Sequence, residues 1–275
     1  MDDVIEWPKA VVLSATEFDV ARDVLDLGPA PSVLELLSPG ATDVERARVV
    51  RTALASLTAR GLFDGTTFRP GLVEDLRTVH APEFQLDLVV PDGIRALAGV
   101  RPSGAVLAVR LGDEVGLVRV ADPAAALVEL LGPLVPGPGP AVRIPVRLLA
   151  DAAEACDGAH DRLVAQLLRR GVPGAEAALL HRVTGGGALA QLGAGRKVPD
   201  ARRAPAFLVV HATDSGCYLQ RRPAPARIGG PLADDATIHA RPAGPAVLAA
   251  ELTALAVQAG FGVVPGRVAS GTSSP

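Results

Sequence analysis

The chain has 275 residues, 49% of them hydrophobic and 21% charged, with a formal net charge of -3 at pH 7. That is enough apolar chain for one large domain or two fused small ones, and the balanced charge leaves no basic field for a phosphate backbone, which argues against nucleic acid as a partner. Aromatic residues make up only 3%, so the core must be aliphatic and stacking surfaces for bases or sugars are scarce.

The chain opens on acid, Met1-Asp2-Asp3, with no apolar run behind it; this is not a secretory signal. Residues 1–9 read as a loose lead-in. Val11-Val12-Leu13 is a short strand. Ser14 and Glu17 then form a capping box: the Ser14 hydroxyl accepts from the Glu17 amide while the Glu17 carboxylate reaches back to the Ser14 amide. The helix runs to about Asp26, with Phe18, Ala21, Val24 and Leu25 on one face, and Gly28-Pro29 stops it. Residues 33–37 read as a second short strand. Thr42 or Asp43 caps a long helix to Arg60, and Gly61 ends it. Residues 72–79 predict a short helix, 83–90 an alternating strand, and 91–104 a loop or short helix. Residues 104–120 hold the clearest signal. Two Val- and Leu-rich runs, 105–110 and 115–120, flank Leu111-Gly112-Asp113-Glu114 and predict an antiparallel hairpin. Asp122-Pro123 starts a helix to Leu131, with Pro at its first position.

Residues 132–140, GPLVPGPGP, read as a linker, because Pro and Gly deny both helix and ladder positions. Beyond it the first half starts again. Val142, Leu149 and Ala152 stand at one constant offset from Val11, Phe18 and Ala21. A helix is expected over 158–170, a short helix over 174–181, a weak strand over 188–192 and a basic loop over 193–204. A second hairpin over 207–221 repeats the device at 105–120. Residues 223–238 read as loop, 245–258 as a closing helix, and the Gly/Ser-rich end from 261 as a frayed tail. The division is therefore 1–131 and 141–260 as two related halves, a linker at 132–140, and a tail at 261–275.

Chemistry-bearing groups do not assemble into a site. Cys156 and Cys217 lie outside any CxxC and read as two separate buried thiols in a reducing compartment. Cys156 and His160 share a helical spacing, but a metal needs three or four ligands and no second cluster is visible. His211 stands near Asp214 and Ser215 without a GxSxG elbow. The Gly185-Gly186-Gly187 run precedes a strand and has no GxxxxGK[ST] pattern, so it is read as a flexible loop rather than a phosphate cradle. The apolar stretch 246–264 is broken by Glu251 and Gln258 and is not a spanning helix. No metal, cofactor or catalytic residue is expected, and the protein is expected in the cytoplasm.

The residues VVLSATEFDVARDVLDLGPAPSVLELLSPG (11–40) are followed by ERARVVRTALASLTARGLFD (45–64), the short helix LVEDLRTV and the hairpin AVLAVRLGDEVGLVRV. Together they resemble the EspG family of ESX (type VII) secretion-associated proteins, over roughly residues 10–260, most specifically in the N-terminal part. The resemblance implies an α/β (α+β) fold in which a central, mostly antiparallel sheet is flanked by helices from two pseudo-twofold-related halves. It implies no enzymatic activity. Its function would be that of a cytosolic chaperone binding a PE-PPE heterodimer at the tip of the PPE helical hairpin, keeping it soluble and export-competent. A PPE-like or WXG-type protein would be the partner if no PE-PPE pair exists. Without such a partner, a ligand-sensing or structural role, or less readily an enzyme, are the alternatives. The family contact maps by region onto about residues 188–220. Within it Tyr218 is the chain's single Tyr, and strand alternation puts it with Gln220 on one face, expected to be partly exposed. Arg196, Lys197, Arg202 and Arg203 are expected to form a positive loop beside it that steers an acidic partner.

Overall fold

The structure, a computed structural model, describes residues 10–91, 93–185, 187–197, 200–225 and 230–261; the expected lead-in at 1–9 and the tail beyond 261 lie outside them. In chain order the first half contains β1 (Val11–Ser14), α1 (Ala15–Val24), α2 (Asp43–Ala59), α3 (Pro70–His80), β2 (Phe84–Val89), β3 (Arg95–Arg101), β4 (Gly104–Leu111), β5 (Glu114–Val120) and α4 (Pro123–Glu129). The second contains β6 (Val142–Pro145), α5 (Val146–Glu154), α6 (Leu163–Arg169), α7 (Gly174–Gly185), β7 (Ala190–Arg196), β8 (Arg202–Arg203), β9 (Ala206–Thr213), β10 (Gly216–Pro223), β11 (Thr237–Pro242) and α8 (Pro245–Gln258).

All the strands join one 11-stranded antiparallel sheet in the order β1-β5-β4-β3-β2-β7-β9-β10-β11-β6, with β8 paired beside β7. The order reads alike outward from the central β2–β7 pair. In each direction three hairpin-connected strands follow the central one's neighbour relation, and the half's first strand closes the outer edge. Leu86 faces Ala194 and Leu88 faces Leu192 across the junction. An antiparallel pair is related by a local twofold, so joining the halves there makes one continuous ladder.

One sheet face carries α4 and α8, which pack on each other and on Leu86, Leu88, Ala96, Ala98, Leu107, Leu192, Leu208, Val210 and Leu219. The other face carries two separate helical layers. Helices α1 to α3 cover Leu13, Leu97, Val106, Ala108, Val115 and Leu117; α5 to α7 cover Val142, Ile144, Tyr218, Ile238 and Ala240. The pleat assigns alternate residues of each strand to different cores.

Local chemistry explains the elements. Ser14 and Glu17 form the capping box at α1, with bonds of 2.9 and 3.0 Å, and Thr42 with Glu45 forms another at α2. Beneath these, Asp19 is 2% exposed and ties α1 to α2: it accepts from Arg22 and Arg46, each at 2.6 Å, and from Ser38 at 3.0 Å. Burial opposes its ionisation, but those three donors outweigh it and hold the carboxyl below its usual range.

Four expectations change. Residues 33–37 form no strand; Ser32–Leu34 is a single 3-10 turn. Residues 91–104 contain strand β3, whose Ala- and Gly-rich sequence carries little β signal. Gly99 is there because α3 presses on the strand: a Cβ would lie 2.4 Å from the Thr78 carbonyl oxygen. Strand β11 lies in what read as loop and helix approach. The expected helix at 158–170 is a 3-10 turn (His160–Arg162) followed by α6. Because β3 went unread, the hairpin correspondence is also displaced. The hairpin β9–β10 stands where β3–β4 stands in the other half, not where β4–β5 does.

Arg119, near the end of β5, bonds Asp75 at 2.7 Å, and Arg110 reaches back to the Leu34 and Glu35 carbonyls at 2.9 and 2.8 Å. Both cysteines are free and buried; burial pushes the Cys217 thiol up to about 11.

Two stability predictions follow from these contacts. Asp19→Ala removes the acceptor shared by Arg22, Arg46 and Ser38, but Arg46 keeps Asp23 and Arg22 keeps the Gly28 carbonyl, so the variant should cost about 1–3 kcal/mol in urea denaturation; a loss near zero would mean the network is already solvated. The histidines give a pH dependence. His80, stacked on Phe18 at 5.2 Å, is held below the ordinary 6.5 by burial. His181, stacked on His160 at 4.4 Å, is held low by burial and then by its neighbour's charge. Below the unfolded value near 6.5 the unfolded chain binds more protons than the folded one, so stability is full above that pH and is lost as pH falls through the lower folded values. The melting temperature should drop between pH 7.5 and 5.5; a flat or rising profile would contradict this.

Candidate partner-binding surface

The surface expected to bind a partner is built from the end of β7, the short β8 and the strands β9 and β10. Its first organiser is a pair of glycines. A Cβ on Gly193 would lie 2.5 Å from an Arg203 guanidinium nitrogen and 2.7 Å from an Asp87 carboxylate oxygen. The bare backbone of Gly193 and Gly195 makes a trough in which Arg203, from β8, meets Asp87 of β2 in a two-pronged bond at 2.5 and 3.1 Å. The Asp87 bond raises the guanidinium pKa against the opposing effect of burial. The pair crosses the junction between the halves. Sequence reading missed Asp87, yet the signal was present: an acid in the middle of the alternating strand, on the face opposite Leu86 and Leu88.

The four cations therefore do not form one patch. Arg203 is neutralised by Asp87. Arg196 is half-buried against the end of α8, its guanidinium 3.2 Å from where a Cβ on Gly260 would lie. Lys197 and Arg202 are exposed. The Lys197 amide donates to the Glu83 carbonyl at 2.8 Å, which fixes the backbone just beyond β7.

Tyr218 and Gln220 do share a strand face, but neither is exposed. Tyr218 is 0% accessible and Gln220 2%. The reason is the segment read as a linker. Residues 132–140 lie as a strap over β10: Pro136 bridges Cys217, the Cys217 amide donates to Val135 at 2.7 Å, and the Gly137 amide donates to Cys217 at 3.1 Å. The Tyr218 hydroxyl donates to the Pro138 carbonyl at 3.1 Å, and Gly137 is Gly because a Cβ would stand 2.2 Å from the phenol ring. The ring fills the second helical core and anchors the strap. Gln220 is taken up by His211, whose Nε2 lies 3.2 Å from its side-chain oxygen; burial keeps that imidazole below its ordinary range.

Among the described residues, no group of three or more His, Cys, Asp or Glu stands where it could hold a metal ion. No described helix is long and apolar enough to cross a membrane. The Cys156 thiol donates to the Ala152 carbonyl at 3.1 Å, and the His160 Nε2 sits 3.0 Å from the His181 carbonyl.

With the sheet order and the helical layers in view, comparison with known proteins becomes decisive. The model of the EspG family matches residues 14–254. The chain belongs to the EspG family. A solved structure with this fold is a Mycobacterium tuberculosis type VII secretion system chaperone, EspG5, determined in complex with the PE25-PPE41 dimer. It superposes with a TM-score of 0.70 at 15% identity, covering 91% of this chain and 96% of that one. No curated protein sequence matches. The EspG fold is thus the α+β arrangement described above, a large antiparallel sheet flanked by helices.

Since Tyr218 holds the strap, Tyr218→Phe should lower stability by about 1 kcal/mol, the worth of one hydrogen bond. Gly137→Ala should cost more, roughly 1–3 kcal/mol, because the buried ring has nowhere to withdraw. Urea denaturation of both variants checks the order; equal losses would mean the strap is not seated on the ring.

Proposed function

We propose that this chain is a cytoplasmic type VII (ESX) secretion chaperone that binds a PE-PPE heterodimer, or a PPE-like or WXG-type protein, and keeps it soluble and competent for export. The observation that carries this reading is the shared fold: nearly the whole chain follows the architecture of a family chaperone solved on a PE-PPE dimer. A central sheet stabilised by internal ion pairs, with no assembled catalytic set among the described residues, suits a docking role.

The partner is placed on the second half, at the turn that carries Lys197 and Arg202. Among the described residues, these are the two exposed members of the expected set with no carboxylate within ion-pair distance; Arg203, also exposed, is taken up by Asp87. Arg203 and Arg196 serve as supports beneath it, Tyr218 and Gln220 as the core behind. An acidic helical tip would be steered to this turn by charge, with the on-rate falling as salt rises.

Coexpression with a PE-PPE or PPE-like pair from the same genome should give a complex stable to size-exclusion chromatography and a larger soluble fraction of the PPE-like chain. Lys197→Glu with Arg202→Glu should weaken it roughly tenfold, about 1.4 kcal/mol, with the melting temperature unchanged. Failure of every such pair to associate would overturn the chaperone reading; unchanged affinity in the folded double variant would move the contact elsewhere.

A further inference from the structure

The second half holds a cleft that the reading above does not use. It opens on the α8 face of the sheet, over β10, β11 and the edge strand β6, and encloses about 710 Å³, within the range of clefts that engulf a peptide-sized or drug-sized ligand. Its floor is a row of basic side chains, two guanidiniums with an imidazole between them. Arg221 faces His239 across β10 and β11, and His239 faces Arg143 across β11 and β6. Neighbouring strands lie about 4.8 Å apart, so the two guanidiniums stand across one imidazole from each other rather than directly opposite. Arg221 is offset in part by α8, bonding Glu251 at 3.3 Å and Gln258 at 2.5 Å, and Arg241 shares Glu251 at 2.7 Å. Among the described residues Arg143 has no carboxylate within ion-pair distance.

The fold itself does not call for these charges. At the places equivalent in register, the first half carries Val109 on β4, Gly116 on β5 and Val12 on β1; Val109 packs against the core and Val12 is exposed. One half keeps this row uncharged; the other carries basic side chains along it.

We infer that this cleft binds an acidic peptide segment of a partner protein, with a carboxylate seated between Arg143 and Arg221. Isolated carboxylates suit it better than a dense polyanion, because Glu251 and Asp235 also line the cleft and would repel closely spaced phosphates, while Gln258 and Thr237 offer hydrogen bonds to peptide amides. The ligand enters over the side chains rather than along the sheet edge, since β6 is only four residues long and ends in Pro145. The state of His239 agrees: burial, then Arg143 and Arg221, hold it below 6.5 against the pull of Glu251, as expected of an imidazole in a cationic row whose counter-ion is a ligand. The site is independent of the turn at Lys197, because β6 lies four strands from β7 in the sheet order.

The test uses the full chain and a rhodamine-labelled peptide of alternating glutamate and alanine, read by fluorescence anisotropy. Saturable binding is expected, weakened roughly tenfold by Arg143→Glu and less by Arg143→Gln. The matching lysine-alanine peptide should not bind. Arg143 is exposed, so both variants should keep the wild-type melting temperature and the wild-type affinity for a PE-PPE or PPE-like pair. Equal binding of the two peptides, or unchanged affinity in both folded variants, overturns the inference. Displacement by an equal concentration of inorganic phosphate overturns the peptide assignment in favour of a small-anion site.

Discussion

Everything in this molecule depends on the antiparallel pairing of β2 with β7. Neither half could close its own sheet edge there. Unpaired, each would present a long row of free amides and carbonyls, the kind of edge that recruits other chains. Pairing removes both edges at once and leaves only β1 and β6 at the rims, each four residues long. The Val12 carbonyl on β1 is further capped by Arg60. The same junction sets the layers. Because the pair is antiparallel, the last helix of each half arrives on the same face, and α4 and α8 bury one shared core across it. On the opposite face the two helical layers stay apart, and the gap between them is spanned by side chains instead, with Asp87 and Arg203 pinned over two glycines.

That division of labour suits a docking protein. The shared core of α4 and α8 makes the sheet rigid. The facing helical layers sit over separate cores and do not share one, so the middle of that face need not be sealed. Its polar residues are matched pairwise: Asp87 with Arg203, His211 with Gln220. The first pair satisfies both partners, and the second satisfies the Gln220 oxygen and the His211 Nε2, leaving the His211 Nδ1 without a partner among the described residues.

Much of this was legible in the sequence, where the chemistry is local. The capping box at Ser14 and Glu17 sets the first helix. The turn at Leu111-Gly112-Asp113-Glu114 sets a hairpin, and the Pro-Gly run at 132–140 marks the passage between halves. What failed was non-local. Strand β3 is written in Ala and Gly because a helix lies hard against it, so the packing that makes it a strand also erased its β signature. Missing it displaced the correspondence between halves by one strand. Tyr218 was placed on the correct face of β10, but alternation states which residues share a face and not what lies over that face. The strap that buries it comes from a segment whose composition denies regular structure, and the bond from its hydroxyl to Pro138 joins residues far apart in sequence. Of the expected cations, Lys197 and Arg202 stay exposed, but the pairing that takes up Arg203 needed Asp87 from the other half to be understood.

The two halves also show where selection had room to act. Positions pointing into the α4–α8 core are small or aliphatic on both sides of the junction, as in Ala98 and Ala194, Leu88 and Leu192. Farther out, the halves part company. The first carries Val109, Gly116 and Val12 in one row, while the second carries Arg221, His239 and Arg143 in the equivalent row. A fold that tolerates valine at these places does not require arginine. Two guanidiniums flank one imidazole there, and α8 offers a single glutamate, Glu251, shared between Arg221 and Arg241. The basic row at the rim is therefore a feature that the shared fold does not require, and it sets the outer second half apart from the symmetric centre of the sheet.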